Sequence, residues 1–401
     1  MHDQKPFVAY TYTPEDRSAK RRRAVRFWVL FVLALVFFLI IGSFVLWQVS
    51  PGSSWRILVV DKTVPHPDYR EHQSLFWVLN HAKVVNKGGK RKWRPGKDYV
   101  GFYPEKFIAS DASFSSNLES AQTIGINLIF LADTYGVYAD DYRFPEKYRT
   151  HLDYSRKIFG GLEPEEAETI EDFVQDGGSL VAEFNTFHHP TPQPVKERME
   201  RLLGLRSTGW MGRYFIDLSN REDVPAWVLR NWKAQSGKDW NFSGPGYIIS
   251  HPNTRLLVLE EEKDVEDDGL RIRTMLAGDP LMKGITSNSP YRFWFDIEAP
   301  MEGTEVLAQY QFRLTARGRE KMQEIGVPEA FPAVLRASRT PLRLYFAGDF
   351  SDNNIYHGPY FFYGWSKLRR LICRVGRNQT QNRFFWDFYV PLLENIFTLS
   401  Y

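Results

Sequence analysis

Four acidic residues stand at the ends of apolar segments that are typical of buried strands. They are Asp61, Asp133, Glu183 and Asp349. If these strands lie side by side, their carboxylates converge, and converging carboxylates bind cations, hydrogen-bond sugars or act as general acid and base. Each acid can equally cap a neighbouring helix or loop, because Asp is favoured in such turns.

Further polar side chains that could bind a ligand lie on the loops that follow these segments. They are His66, His72, Asn185, His188, His189, Asp352 and Asn353. The histidine spacing matches no recognised metal-binding pattern, so neither a metal nor another cofactor is expected. The sequence also lacks a Gly-rich phosphate loop and a Gly-x-Ser-x-Gly elbow, which gives no support to nucleotide binding or serine hydrolase chemistry.

The elements that would position these residues follow an α/β pattern. Arg56–Val60 and Asn127–Ala132 are short apolar runs typical of buried strands. Pro164 begins a helix whose first turn is acidic, Gly177 and Gly178 end it, and Ser179–Phe184 continues as a strand. Short loops between helices and strands predict a parallel sheet with both faces covered. Ligands bind beyond the carboxyl ends of the strands in such sheets, where the four acids would meet.

The remaining patterns are less regular. Amphipathic spacing predicts helices over Gln73–His81 and Val195–Leu203, and Thr134–Arg149 and the acidic run Glu260–Asp268 are expected to be a loop and a solvated turn. Further strands are predicted at Leu256–Leu259, Val306–Tyr310, Ala333–Ala337 and Leu342–Ala347, the last two flanking a turn at Thr340-Pro341.

One segment near the N-terminus predicts a transmembrane helix. Phe27–Val49 contains no charged residue and is long enough to cross a bilayer core of about 30 Å. A basic cluster precedes it, which places residues 1–26 in the cytoplasm as a basic tail and residues 55–401 outside as one extracytoplasmic domain. The alternative is a cleaved signal peptide, but those have shorter apolar cores and a small-residue cleavage site. The polar residues 1–19 are expected to be disordered.

Charge and cysteine content narrow the class of protein. The formal charge is only +3, and much of the basic excess precedes the apolar segment, so no nucleic-acid partner is expected. Cys373 is the only cysteine, which excludes a disulfide within the chain. An exported domain of this size without disulfides is more typical of a bacterial cell-membrane or envelope protein than of a secreted eukaryotic one.

Two stretches carry a resemblance to a known superfamily. One is the helix–Gly-Gly–strand unit EDFVQDGGSLVAEF, and the other runs from LMKGI through VLAQY and PAVLRA to LRLYFAGDFSD. Their order resembles the class I glutamine amidotransferase-like superfamily, especially ThuA-like domains and the amidotransferase-like domain of some β-galactosidases. The resemblance covers roughly residues 56–353 with large insertions. It implies a flavodoxin-like α/β fold.

The chain departs from that superfamily at the nucleophile. The resemblance implies a cysteine on the turn after Ser179–Phe184, but Glu183 stands there and the single cysteine lies far away at Cys373. A carboxylate cannot form the thioester that glutamine hydrolysis uses, so glutaminase activity is not expected.

The C-terminal segment Arg383–Phe397 predicts a strongly aromatic helix that Pro391 kinks or restarts. Its apolar face is too broad for a solvated surface helix. It is expected to pack on the sheet of its own domain, with docking on the membrane or on a partner as the alternative.

Three functions remain open from the sequence. The leading hypothesis is a membrane-anchored envelope protein whose degenerate amidotransferase-like domain binds a glycan or a partner protein within a membrane complex. The alternative is an envelope polysaccharide hydrolase that uses Glu183 with Asp61, Asp133 or Asp349, which requires carboxyl groups about 5–10 Å apart. The third is a scaffold whose only role is assembly.

Overall fold

The computed structural model describes residues 14–108, 114–142, 156–186, 188–353, 355–375 and 380–399. The chain divides into two compact units. The first contains the residues up to Ser50 together with Phe361–Trp365, and the second contains Pro51–Tyr360 and the residues from Ser366 onward.

The secondary structure alternates between helices and strands through most of the second unit. The helices are α1 (Pro14–Val49), α2 (Arg70–His81), α3 (Pro104–Ile108), α4 (Pro164–Gln175), α5 (Gln193–Leu203), α6 (Ala226–Ser236), α7 (Ala316–Ile325), α8 (Trp365–Val375), α9 (Thr380–Phe384) and α10 (Val390–Thr398), with a π-helical turn at Phe385–Tyr389. The strands are β1 (Arg56–Asp61), β2 (Val85–Asn86), β3 (Val100–Gly101), β4 (Leu128–Asp133), β5 (Val137–Tyr138), β6 (Lys157–Phe159), β7 (Ser179–Glu183), β8 (Leu205–Phe215), β9 (Gly246–Ser250), β10 (Leu256–Glu260), β11 (Val265–Thr274), β12 (Ser289–Pro290), β13 (Phe295–Pro300), β14 (Glu305–Leu314), β15 (Ala330–Arg339) and β16 (Leu342–Phe346).

The first unit consists of α1 and a short aromatic segment. Within α1, the stretch Lys20–Val49 reaches a mean hydropathy of 3.1 over 18 residues, and none of that window is buried. Tyr363 is joined to this helix by its backbone, since its N–H donates to the Ser43 carbonyl at 3.1 Å and the Ser43 hydroxyl donates to its carbonyl at 2.9 Å. The helix has the length and composition of a membrane anchor or a signal sequence. It begins at Pro14, so the part of residues 1–19 that the structure describes is helical rather than disordered.

The second unit is built on a mixed sheet with the strand order β12-β11-β14-β15-β16-β7-β4-β1-β2, and β3 also pairs with β1. The half that runs from β16 to β2 is parallel, as the helix–strand pattern predicts. Helix α4 begins with Pro164 in its first turn, Glu163 and Glu166 form a capping box, and Gly177 ends it with a φ of 94°. These signals are local, which is why the sequence predicts this unit correctly.

The other half of the sheet corrects the prediction of a purely parallel sheet. Strands β11, β12, β14, β15 and β16 pair antiparallel. A separate antiparallel sheet has the order β10-β9-β8-β13 and belongs to the insertion between β7 and β14. The predicted strands within β10, β14, β15 and β16 are confirmed, whereas β8, β9, β11, β12 and β13 are absent from the sequence prediction.

Two loops predicted from the sequence also contain regular structure. The run Glu260–Asp268 is not a solvated turn: Glu260 ends β10, Val265 begins β11, and Glu260 and Asp264 are buried in ion pairs with Arg317. The run of acidic residues predicts exposure to solvent, but the cation that pairs with them, Arg317, lies on α7, more than fifty residues along the chain. The segment Thr134–Arg149 contains β5 and a short helical turn up to Tyr142, and its later part lies outside the described residues.

The aromatic C-terminal segment packs on its own domain, so docking on a membrane or a partner is the wrong alternative. The side chains of Phe384, Trp386, Phe388 and Tyr389 are buried. The indole N–H of Trp55, which directly precedes β1, donates to the Ile396 carbonyl at 3.0 Å. The helix does not stop at the proline. A π-helical turn at Phe385–Tyr389 precedes the proline, and the helix continues through it into α10.

Candidate functional site

In the parallel half of the sheet, the strands that carry the four predicted acids end at one edge. Strands β1, β4, β7 and β16 are neighbours that run in the same direction, with Asp61 in register with Asp133 and Glu183 in register with Phe346. Asp349 follows β16 by three residues. We call the region where these strands end the carboxyl edge, formed by Asp61, Asp133, Asp349 and Asp352 with their neighbours.

Asp61 is fully buried at this edge, and both of its carboxylate oxygens have partners. Oδ1 accepts the Thr63 N–H at 3.0 Å, and Oδ2 lies 2.7 Å from Nδ1 of His72. The other nitrogen of His72 lies 3.0 Å from the Pro95 carbonyl. His72 therefore fixes the Asp61 carboxylate and the loop around Pro95, and neither side chain is exposed to a ligand.

Asp133 sits beside Asp61 and is linked to it through Thr63. Its Oδ1 accepts the Thr63 hydroxyl at 2.7 Å and the Tyr135 N–H at 2.6 Å. Burial, together with the charge of Asp61, raises the pKa of the Asp133 carboxyl to about 7. A carboxyl group with this pKa exists in both protonation states near neutral pH, so it can donate or accept a hydrogen bond.

Asp349 and Asp352 complete the carboxyl edge on the loop after β16. The Asp349 Oδ1 accepts the Asp352 N–H at 3.3 Å. Desolvation, with the charges of Asp352 and Asp133, raises the pKa of Asp349 well above its ordinary value. Asp352 also forms a two-point ion pair with the half-exposed Arg70, with Nε–Oδ1 and Nη2–Oδ2 distances of 2.8 and 3.0 Å.

Three residues at this edge are absent from the sequence prediction. Thr63 links Asp61 to Asp133, Arg70 pairs with Asp352, and Glu71 contributes a further acid whose Oε2 is buried without a hydrogen-bond partner among the described residues. Burial and the charge of Asp61 raise the pKa of Glu71 to about 9. All three lie within ten residues of Asp61, so their closeness in sequence to a strand-terminal acid could have identified them.

Glu183 does not face the carboxyl edge as a catalytic acid would. Its side chain is fully buried, Oε2 accepts the Ser351 N–H at 2.9 Å, and Oε1 accepts the Tyr389 hydroxyl at 2.8 Å. Burial raises its pKa to about 8, against the lowering effect of the hydrogen bonds from Tyr389 and Ser351. These contacts connect β7 to the loop after β16 and to the C-terminal segment, so Glu183 stabilises the packing of these elements.

The sharp turn after β7 lies two residues further along the chain. Asn185 adopts a left-handed conformation with a φ of 63°, and its carbonyl accepts the Thr134 hydroxyl at 3.1 Å. Asn tolerates this conformation better than most residues. The turn position that the sequence assigned to Glu183 is therefore occupied by Asn185.

The other predicted ligand residues do not gather at the carboxyl edge. His66 and His189 are exposed on their loops, and Asn353 is buried with its amide donating to the Phe350 carbonyl. His188 points to a different place, between the carboxylates of Asp296 and Glu298 on β13.

The His188 cluster consists of His188, Asp296 and Glu298, all buried. The His188 Nε2 lies 2.9 Å from the Asp296 Oδ2 and 3.3 Å from the Glu298 Oε1. Burial alone would lower the pKa of His188, but the hydrogen bonds to both carboxylates outweigh it and raise the pKa to about 9. The sequence prediction missed Asp296 and Glu298 because they lie about a hundred residues from His188 and on a strand it did not detect.

The chemistry available at the carboxyl edge is recognition by hydrogen bonding. It offers carboxyl groups with raised pKa values, the Arg70 guanidinium and the exposed Tyr135 ring beside Asp133. Hydroxyl-rich ligands need donors and acceptors together, and a ring face for stacking.

Comparison with known proteins finds distant structural similarity alone. No family model matches the chain, and no curated protein matches it. A putative ThuA-like protein from Parabacteroides merdae is 11% identical with a TM-score of 0.37, covering 74% of this chain and 79% of its own. A putative ThuA-like protein from Bacteroides uniformis is 10% identical with a TM-score of 0.32, covering 86% and 97%.

The β-galactosidase from Rahnella sp. R3 is also similar, at 12% identity and a TM-score of 0.34. The match covers 86% of this chain and 31% of the β-galactosidase. Structural similarities at this level do not assign the chain to a family or give it a function. What the structure itself establishes is a mixed α/β domain with a carboxyl-rich edge, preceded by one apolar helix.

Proposed function

We propose that this chain is a membrane-anchored envelope protein whose α/β domain binds a glycan at the carboxyl edge, as part of a membrane complex. The observation that carries the proposal is the convergence of Asp133, Asp349 and Asp352 at one edge of the parallel strands, with the buried Asp61 beside Asp133. Open α/β sheets bind ligands at this edge. A carboxyl group such as that of Asp133, with a pKa of about 7, matches sugar hydroxyls, which both donate and accept.

Replacing Asp133 or Asp352 with asparagine is expected to weaken glycan binding about 10-fold or more, since a hydrogen bond to a charged group contributes about 1.5–3 kcal/mol. The measurement is co-sedimentation of the detergent-solubilised full-length protein with peptidoglycan sacculi. Asparagine keeps the side-chain shape, so the fold should survive both changes.

Asp172→Asn provides the matched control for this experiment. Asp172 is exposed near the end of α4, which leads into the opposite edge of β7, so its replacement should leave binding unchanged. Crosslinking of the wild-type protein in membranes tests the partner-protein form of the proposal. If the protein neither retains sacculi nor crosslinks to another protein, the binding proposal is wrong.

Membrane attachment is supported by a second feature besides α1. Helix α8 is held on its domain by its polar face: Arg370 and Arg374 donate to Asp387 at 3.0 and 3.1 Å, and both also donate to the Thr286 hydroxyl. Three of its apolar side chains, Leu368, Leu371 and Ile372, face outward and are exposed by 47, 61 and 50%. This is the reverse of an ordinary surface helix, whose apolar face packs inward.

An exposed apolar face of this kind requires an apolar cover, and the bilayer is the occupant that the chain indicates. Helix α8 begins at Trp365, the last residue of the segment that pairs with Ser43 of α1 within the first unit. The chain therefore enters α8 directly from a segment bound to the apolar helix. A cleaved signal sequence would leave that segment without its partner, so this feature favours an uncleaved anchor.

A fluorescent label at Leu371→Cys, in a Cys373→Ser background, is expected to be quenched by brominated lipids in nanodiscs. The quenching should be comparable with that of a label at Val49→Cys. The physical reason is that an apolar side chain at the interface lies near the acyl chains. A label at Ile216→Cys, which is 81% exposed beyond the end of β8, serves as the control and should not be quenched. An unquenched label at residue 371 would contradict bilayer contact.

The hydrolase alternative is not favoured by the geometry. It relied on Glu183 as one member of a carboxylate pair, and both Glu183 oxygens are occupied by structural hydrogen bonds inside the core. A buried carboxylate without access to a substrate cannot protonate a leaving group or attack a sugar ring.

A further inference from the structure

The His188 cluster lies apart from the carboxyl edge and has unsatisfied polar atoms. Glu298 is 2% exposed; its Oε1 lies 3.3 Å from the His188 imidazole, but its Oε2 has no hydrogen-bond partner among the described residues. The Oδ1 atom of Asp296 is also buried without one. Unpaired carboxylate oxygens in a protein interior are costly, and an ion that contacts them would remove that cost.

The arrangement of the potential ligand atoms fits a shared ion. One atom each from His188, Asp296 and Glu298 lies within 4.8 Å of the others. The distances of 2.9 and 3.3 Å from the imidazole nitrogen to the two carboxylates are close to the separation of about 3.0–3.4 Å between two ligands bound to one ion at about 2.0–2.1 Å.

The charge of the cluster leads to the same conclusion. A metal ligand must be the neutral imidazole, so the ion would replace the imidazolium proton; the two carboxylates then carry a charge of −2, which one divalent cation balances inside the protein. Imidazole and carboxylate together are typical ligands of Zn²⁺, whereas Mg²⁺ and Ca²⁺ prefer oxygen ligands alone. The Tyr345 hydroxyl donates to Asp296 and orients that carboxylate.

We propose that His188, Asp296 and Glu298 form a binding site for one divalent transition-metal ion, with Zn²⁺ as the expected ion. The ion joins the loop after β7 to β13, which belongs to the separate four-stranded sheet. Its role is structural, because all three ligands are buried away from solvent. The sequence predicts no metal, since the three ligands come from two distant segments of the chain.

The test is the metal content of the full-length protein, purified in detergent with an affinity tag that binds no metal. Mass spectrometry of the inorganic content is expected to find about one zinc ion per chain. After removal of the metal by a chelator, added Zn²⁺ should raise the thermal unfolding midpoint of the wild-type protein, because a ligand that binds only the folded state stabilises it.

The variants Glu298→Gln and His188→Ala should lose both the bound zinc and the stabilisation by added Zn²⁺. Glu302→Gln, an exposed residue just beyond β13, is the matched control and should retain both. If a variant fails to fold, the wild-type metal content and Zn²⁺ titration still decide the question. The absence of stoichiometric metal, with no stabilisation by Zn²⁺ or Mn²⁺, would overturn the proposal and leave a protonated histidine between two carboxyl groups. Neither outcome depends on glycan binding at the carboxyl edge.

Discussion

Replacing Phe388 with alanine is expected to lower the free energy of unfolding by about 3–5 kcal/mol. Phe388 is fully buried, and its ring centroid lies 5.8 Å from that of Phe384 and 6.0 Å from that of Phe350. The change removes apolar surface and leaves a cavity between the C-terminal segment and the loop after β16. A loss of this size is a large part of the stability of an ordinary domain, which is about 5–15 kcal/mol.

Denaturant unfolding of the full-length protein in detergent measures this change. Tyr356→Ala is the control, because that side chain is 77% exposed and its removal should change the free energy of unfolding by at most about 0.5 kcal/mol. Deleting the chain beyond Thr380 should abolish cooperative unfolding. A truncated protein that stays folded and monodisperse would contradict the conclusion that this segment belongs to the core.

Replacing Lys62 with methionine is expected to destabilise the protein by about 3–5 kcal/mol, because it leaves a buried carboxylate without its counter-charge. Lys62 and Glu166 form an ion pair in which both side chains are 1% exposed. The Lys62 ammonium also donates to the Gly161 carbonyl at 2.8 Å and to the Asn117 side chain at 3.1 Å. Burial lowers the pKa of Lys62, and the charge of Glu166 opposes that shift.

The double variant Lys62→Met, Glu166→Gln separates a charge effect from a packing effect. It should recover part of the lost stability, since no charge then remains buried, and Gln can still accept from the N–H of Leu118 or Glu163. Lys233→Met removes a lysine from the solvent-exposed pair with Asp239 and should leave stability unchanged within error. If the double variant is no more stable than Lys62→Met, the loss comes from packing, and the charge explanation is wrong.

The sequence alone predicts the features whose signals are local. The apolar segment Phe27–Val49, the helix α4 with its proline start and glycine end, and the hairpin around Thr340-Pro341 are all read from neighbouring residues. It also predicts that Asp61 and Asp133 end neighbouring strands, because parallel strands joined by short loops leave their carboxyl ends at one edge.

Only the tertiary structure decides what each side chain contacts. The position of Glu183 at the end of a strand predicts that it lies at the edge of the sheet. It does not predict that the hydroxyl of Tyr389, more than two hundred residues later, donates a hydrogen bond to its carboxylate. Strand β13 alternates apolar and acidic residues, a pattern typical of a strand with one solvent-exposed face, yet the structure buries Asp296 and Glu298. The His188 cluster and the outward-facing apolar side chains of α8 both depend on packing between distant segments. Hydrogen bonds, burial and charge pairing between such segments are set by the fold as a whole, and no local pattern encodes them.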